Sequence, residues 1–232
     1  MELTVYTVVN DTSNDLIEKE NNMALLNMEP KWLEYAKKLQ GIAQAGLTYS
    51  KDKYDIERFE QIRQISIDIL HHYTDMEHKK IRDLFANETG YQTPKIDVRG
   101  AIFKEDKILL VREKIDGLWA MPGGWADMDL SIMENLLKEA NEEAGASIIP
   151  KRIIAILDRK KHFVQPFPYG VYKIFVECDF MDEQFKNNIE TSESGFFAFD
   201  KLPPLSICRN TEEQIEMCFR VRGKTYHETI FD

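Results

Sequence analysis

Large apolar residues recur first at helical and then at strand spacing along this chain. From Pro30, Trp32, Tyr35, Leu39 and Ile42 follow at intervals of three or four, predicting a helix that Gly46 closes. A second helix is predicted over 52–75, with Ile56, Phe59, Ile62, Ile65, Ile69 and Tyr73 on one stripe. A short third, over 77–86, carries Ile81, Leu84 and Phe85. These stripes need burial against each other or against a partner. From Ile96 the period changes. Strands are predicted over 98–103 and 107–111 around a turn at Glu105 and Asp106, then over 118–121, 153–157, 171–180 and 196–199. Two helices interrupt them. One opens at Ser131, with Glu134 completing a capping box, and ends at Gly145; the other opens at Thr211 with Gln214 and runs to Val221.

This order predicts an α+β fold, an α/β/α sandwich around a mixed sheet, preceded by a small helical domain. The divisions read as an extension over 1–27, a helical domain over 28–90, a linker over 91–95 marked by Pro94, and a second domain over 96–232. The extension carries no recognisable chemistry. His71, His72 and His78 do not read as a metal site, because adjacent histidines leave a helix on different sides and no acidic or cysteine set converges with them.

The helix over 131–145 concentrates the candidate chemistry. Glu139, Glu142 and Glu143 are spaced i, i+3 and i+4 and so share one face. Like charges at that spacing cost roughly 0.2–0.5 kcal/mol per pair in an isolated helix. Lys138 offsets part of this from the side. A hard divalent cation such as Mg2+ would offset more, since it takes oxygen ligands and keeps waters. Taken alone, three glutamates are also compatible with a solvated acidic face. Upstream, Met121-Pro122-Gly123-Gly124 supplies a glycine turn that lets backbone approach closely.

Together these residues resemble the Nudix hydrolase signature, G-x5-E-x7-R-E-U-x-E-E-x-G-U with U apolar. Gly124, Glu139, Ala140, Glu142, Glu143, Gly145 and Ala146 match, Lys138 stands for the arginine, and Leu130 departs from the first glutamate. A bridge from Lys138 to Glu134 or Glu142 is expected to replace the missing pair. The resemblance implies the Nudix fold over about residues 96–222. The helical leader, WLEYAKKLQGIAQAGLTYSKDKYDIERFEQIR, followed by GGWAD and DLSIMEN, is similar to a Gram-positive Nudix subfamily that includes CDP-choline and ADP-ribose pyrophosphatases.

What the resemblance implies is hydrolysis of a nucleoside diphosphate linked to another moiety, with Mg2+ or Mn2+ as cofactor. CDP-choline, giving CMP and phosphocholine, is the specific expectation. The alternatives are ADP-ribose, a nucleoside diphosphate sugar, an RNA end, or a non-catalytic nucleotide sensor. Glu139 and Glu143 are then primary metal ligands, with Glu142 and the carbonyl of Gly123 or Gly124 as further oxygens and Lys138 orienting a carboxylate. Glu193 is the first off-helix candidate for general base, Glu190 the second, and Glu142 an alternative. Candidate substrate contacts are Arg112, Trp125, Asp127, and His162 and Phe167 from the basic and aromatic segment RKKHFVQPFPY.

Composition narrows the partners. A net charge of −10 argues against a broad grip on nucleic acid, leaving RNA a secondary substrate at most. Cys178, Cys208 and Cys218 have no paired spacing and read as reduced thiols of a cytoplasmic protein. No apolar run reads as a membrane span and no secretory signal is apparent. The apolar stripes of the leader point to a homodimer.

Overall fold

The computed structural model describes residues 30–163 and 167–232, so the extension over 1–27 lies outside the described residues. Three helices come first: α1 (Lys31–Tyr49), α2 (Lys53–Tyr73) and α3 (His78–Phe85). Asp52 caps α2, accepting from the N–H groups of Tyr54 and Asp55. Gly46 does not end α1, contrary to expectation; the helix runs on to Tyr49, and the Ser50 N–H bonds the Gly46 carbonyl. Gly46 sits where α2 crosses, and a Cβ there would strike the ring of Phe59.

The buried face of the pair also differs from the predicted one. Leu33, Ala36, Gln40, Ala43 and Gln44 of α1 are buried, with Ser66, Ile67 and Leu70 of α2. Ser66 donates to the carbonyl of Ala36 at 2.8 Å. Small and polar residues line this seam, so the helices approach closely. The large residues of the predicted stripes turn outward or only half-bury: Tyr35 is 55% exposed, Ile42 54% and Ile65 50%. Ile81 and Phe85 of α3 close the seam, and Tyr169 packs against it from the second unit.

That unit is a mixed sheet between helices. Its strands are β1 (Lys95–Lys104), β2 (Lys107–Glu113), β3 (Trp119–Ala120), β4 (Gly123–Trp125), β5 (Ala146–Asp158), β6 (Val171–Glu183), β7 (Thr191–Phe197) and β8 (Ile230–Phe231). Their order is β3-β2-β1-β6-β5-β8, with β4 paired to β1 and β7 to β2. The glycine turn expected after Met121 is a strand instead, because Gly123, Gly124 and Trp125 pair antiparallel with Arg99, Val98 and Asp97.

Between β4 and β5 runs α4 (Ile132–Ala144); α5 (Arg159–His162) follows β5, and α6 (Glu212–Val221) precedes β8. Both predicted capping boxes form, and Gly145 ends α4 at φ +63°. Alternation along the central strands feeds two cores. Val98, Ile102, Leu109 and Val111 pack with Leu136, Ala140 and Ala144 of α4. Ala101, Phe103, Ile108 and Leu110 face the other way, toward Ile215, Cys218 and Val221 of α6. No helix among the described residues is long and apolar enough to cross a membrane.

Candidate active site

The apolar stripe of α4 grips the sheet and aims its acidic face at β4. Glu143 is 3% exposed, and one of its oxygens accepts the Gly123 N–H at 2.8 Å. Gly123 holds φ +136° with the Val98 carbonyl where a Cβ would lie, so only glycine fits. Burial pushes the Glu143 carboxyl up to about 7, with the nearby Arg99 charge opposing. Burial also raises Glu139, whose carboxylate lies against the α-carbon side of Gly124. Glu142 stays open to solvent.

Lys138 reaches three acids: Asp127 at 3.1 Å, Glu142 at 3.5 Å and Glu139 at 3.6 Å. The hydrogen bond to Asp127, then Glu139 and Glu142, raises its ammonium. Of the two bridges weighed for Lys138, the one to Glu142 forms and the one to Glu134 does not, because that carboxylate is used on the Ser131 N–H. Asp127 therefore faces Lys138 and lines a neighbouring cavity, beside Leu130, rather than the acidic cleft.

The cleft measures about 630 Å3 and is walled by Gly123, Gly124, Trp125, Lys138, the three glutamates, Glu113, Glu190 and Arg209. Glu190 reaches it from the loop before β7, where Asn188 accepts from the N–H groups of Glu190 and Thr191 and donates to the Glu142 carbonyl. Glu113, at the end of β2, is buried with Arg209 Nε 2.9 Å away. Burial lifts its carboxyl despite the cations of Arg209 and Arg99.

Three expected site residues lie elsewhere. Arg112 and Glu193 oppose each other across β2 and β7 and pair at 2.7 Å, while Arg112 Nε donates to Gly117. Strand alternation explains the loss, since it sends Glu113 to the cleft and its neighbour Arg112 away. His162 is also displaced, pairing with Asp232 at the end of α5.

Beyond Trp125 the cleft continues into a cavity of about 240 Å3 lined by Asp97, Arg99, Asp116, Arg159, Phe167, Lys173, Cys208 and Arg209 among others. The rings of Trp125 and Phe167 face each other with centroids 6.4 Å apart, 22° from parallel. Arg159 stacks 4.3 Å above Phe167. Arg99 is fully buried and grips both oxygens of Asp97, at 2.8 and 2.9 Å. Burial is the largest influence on Asp97 and opposes ionisation, yet Arg99 and Lys173 outweigh it and hold the carboxyl below its usual range. Burial pushes Lys173 down to about 8. None of Arg99, Glu113, Lys173 or Arg209 was singled out from the sequence. The available signal was the alternation of Asp97 and Arg99 inside an otherwise apolar strand.

The donor set at α4 is all oxygen, which suits a hard cation. Among the described residues no three acidic, histidine or cysteine side chains are grouped closely enough to hold an ion by themselves. Mg2+ does not require that, because it commonly takes one or two carboxylates and keeps waters or substrate phosphates. One buried and one half-buried carboxyl, both held back from ionising by burial, fit such an ion.

Comparison with known proteins agrees with the architecture. Residues 93–216 match the model of the NUDIX domain, and residues 30–85 match that of a UDP-X-like, N-terminal oligomerisation domain. The chain belongs to the Nudix hydrolase family. It is 47% identical over 208 residues to the Bacillus subtilis protein YjhB, named provisionally as an ADP-ribose pyrophosphatase, covering 90% of this chain and 100% of that one. The crystal structure of an ADP-ribose pyrophosphatase from Streptococcus suis is 47% identical over 60% of this chain and all of that chain, with TM-score 0.56. A UDP-X diphosphatase structure is 33% identical over 86% of this chain and 98% of that one, also with TM-score 0.56.

Proposed function

We propose that this chain is a divalent-cation-dependent pyrophosphatase acting on a nucleoside diphosphate linked to a second moiety, with ADP-ribose as its leading substrate. The observation that carries the reading is the pairing of Glu139 and Glu143, two carboxyls that burial makes reluctant to ionise, beside a glycine strand. Bound Mg2+ or Mn2+ would neutralise the diphosphate and activate water near neutral pH.

The residues divide the remaining work. Glu139 and Glu143 are the primary ligands and Glu142 a further one, with a carbonyl of Gly123 or Gly124 adding an oxygen. Lys138 holds Glu139 and Glu142 in place. Glu190 takes over from Glu193 as the off-helix candidate base because it lines the cleft, and Glu142 is its competitor. Arg209 replaces Arg112 as the phosphate contact for the same reason. Trp125 and Phe167 flank the second moiety.

ADP-ribose is supported by the names of the Bacillus subtilis and Streptococcus suis relatives. CDP-choline rests on the resemblance of the leader alone. Three free thiols support a cytoplasmic setting. The outward apolar residues of α1 and α2 support a homodimer, in keeping with the description of the matched N-terminal domain. The deciding experiment is nucleotide release from ADP-ribose, CDP-choline, UDP-sugars and dinucleotides with Mg2+. Turnover of ADP-ribose foremost is expected. Tight nucleotide binding without hydrolysis of any of these would make the protein a sensor.

A further inference from the structure

The cavity beyond Trp125 holds a charge that water attack on phosphorus does not need. Lys173 lies on β6 directly beside Asp97 of β1 in parallel register, on the face that also carries Arg99. Its side chain is 4% exposed. An ammonium has three donors. Here Nζ donates to the carbonyl of Arg209, and the nearest acid, Asp97, stands 3.9 Å away. That acid already serves Arg99 with both oxygens. Lys173 is therefore a buried cation whose counter-ion is shared and whose donors are not all used, at the wall of an open cavity. Of the other cations lining that cavity, Arg99 is held by Asp97 and Arg209 is paired with Glu113, which leaves Lys173 the weakly matched charge on this strand. Burying such a group is costly unless an acceptor arrives to meet it.

We infer that Lys173 is a specificity-determining residue, donating to the oxygens of a sugar-phosphate moiety of the substrate while its buried ammonium repels a moiety ending in a quaternary ammonium. This rests on the hydrolase reading above and refines it. A pentose phosphate offers several acceptors to such a floor, whereas a choline headgroup offers none and repels it. Trp125 and Phe167 supply planar walls, and Arg159, 4.3 Å over the Phe167 ring, already occupies a face that a quaternary ammonium would otherwise seek.

The test compares wild type, Lys173→Met and Lys173→Arg on ADP-ribose and on CDP-choline with saturating Mg2+. Methionine matches the length of the stem and leaves Asp97 paired with Arg99, and a melting curve checks that the variant is folded. Lys173→Met is expected to raise KM for ADP-ribose about ten- to hundredfold, the span of one charged hydrogen bond, with kcat changed less than about threefold. KM for CDP-choline is expected not to rise, and Lys173→Arg to recover part of the ADP-ribose affinity. Equal losses on both substrates, or a fall in kcat with KM unmoved, would overturn the inference. If wild type hydrolyses neither compound, the hydrolase reading fails separately. Calorimetric titration of both ligands into wild type and Lys173→Met then reads the same contrast as Kd.

Discussion

Glu143→Gln should make the metal-free protein more stable at pH 8 while destroying its activity. In the fold the Glu143 carboxyl keeps its proton up to about pH 7, against an ordinary value of 4.5, because burial penalises the anion. Between those values the folded state binds more protons than the unfolded one, so stability falls as pH rises, and the loss is complete above pH 7. At about 1.4 kcal/mol per pH unit, the ceiling is about 3 kcal/mol. Glutamine carries no charge, and its amide oxygen can still accept the Gly123 N–H. For a chain of this size each kcal/mol moves Tm by roughly 2–4 °C. Thermal unfolding in EDTA should therefore show the variant melting up to about 6–12 °C above wild type at pH 8, and level with it at pH 4. In Mg2+ the order should narrow or invert, and kcat should fall by at least about a hundredfold, equivalent to the few kcal/mol a bound cation supplies. An advantage equal at both pH values, or absent at pH 8, would refute the argument that burial of this carboxylate is what the cation relieves.

Three further outcomes follow from the geometry. Arg112→Ala and Glu193→Gln should each change kcat/KM by less than about threefold and stability by at most about 1 kcal/mol, because they break an exposed pair away from the cleft; steady-state kinetics and melting curves check both. Gly123→Ala should cost more than about 2 kcal/mol, read by denaturant unfolding, since neither its φ nor the Val98 carbonyl tolerates a Cβ. On the homodimer proposed above, Ile42→Glu with Ile65→Glu should halve the mass seen by light scattering without lowering the melting temperature of the catalytic unit, because both side chains face outward.

The acidic helix was legible because its limits are written locally: Ser131 with Glu134 opens it, Gly145 closes it, and the glutamates need only helical period to share a face. The leader misled for an equally physical reason. Its tight seam runs through Ala36, Ala43, Ser66 and Gly46, which carry little hydropathy signal, and its large members, Leu33, Ile67 and Leu70, lie beside the stripe that stands out in the sequence. Lys173 escaped notice because its partner, Asp97, meets it through strand register rather than sequence spacing, whereas Arg99 meets Asp97 two residues along the same strand, a signal the sequence does carry. Arg112 and Glu193 were named for being charged and near the right strands. Which of two adjacent residues enters a cleft depends on a parity that an irregular strand such as TSESGFF does not reveal, and the ladder shifts register between Arg112 and Glu113.

Trp125 belongs at once to the acidic cleft, to the cation-walled cavity and to the roughly 820 Å3 hollow lined by Leu130 and Tyr169. One indole thus partitions three chambers, and its bulk decides how far a bound molecule extends into each. Trimming it would join the rooms and widen the diet of the enzyme without moving a single hydrolytic acid. In a scaffold so arranged, substrate range and chemical step can drift apart through changes at one position.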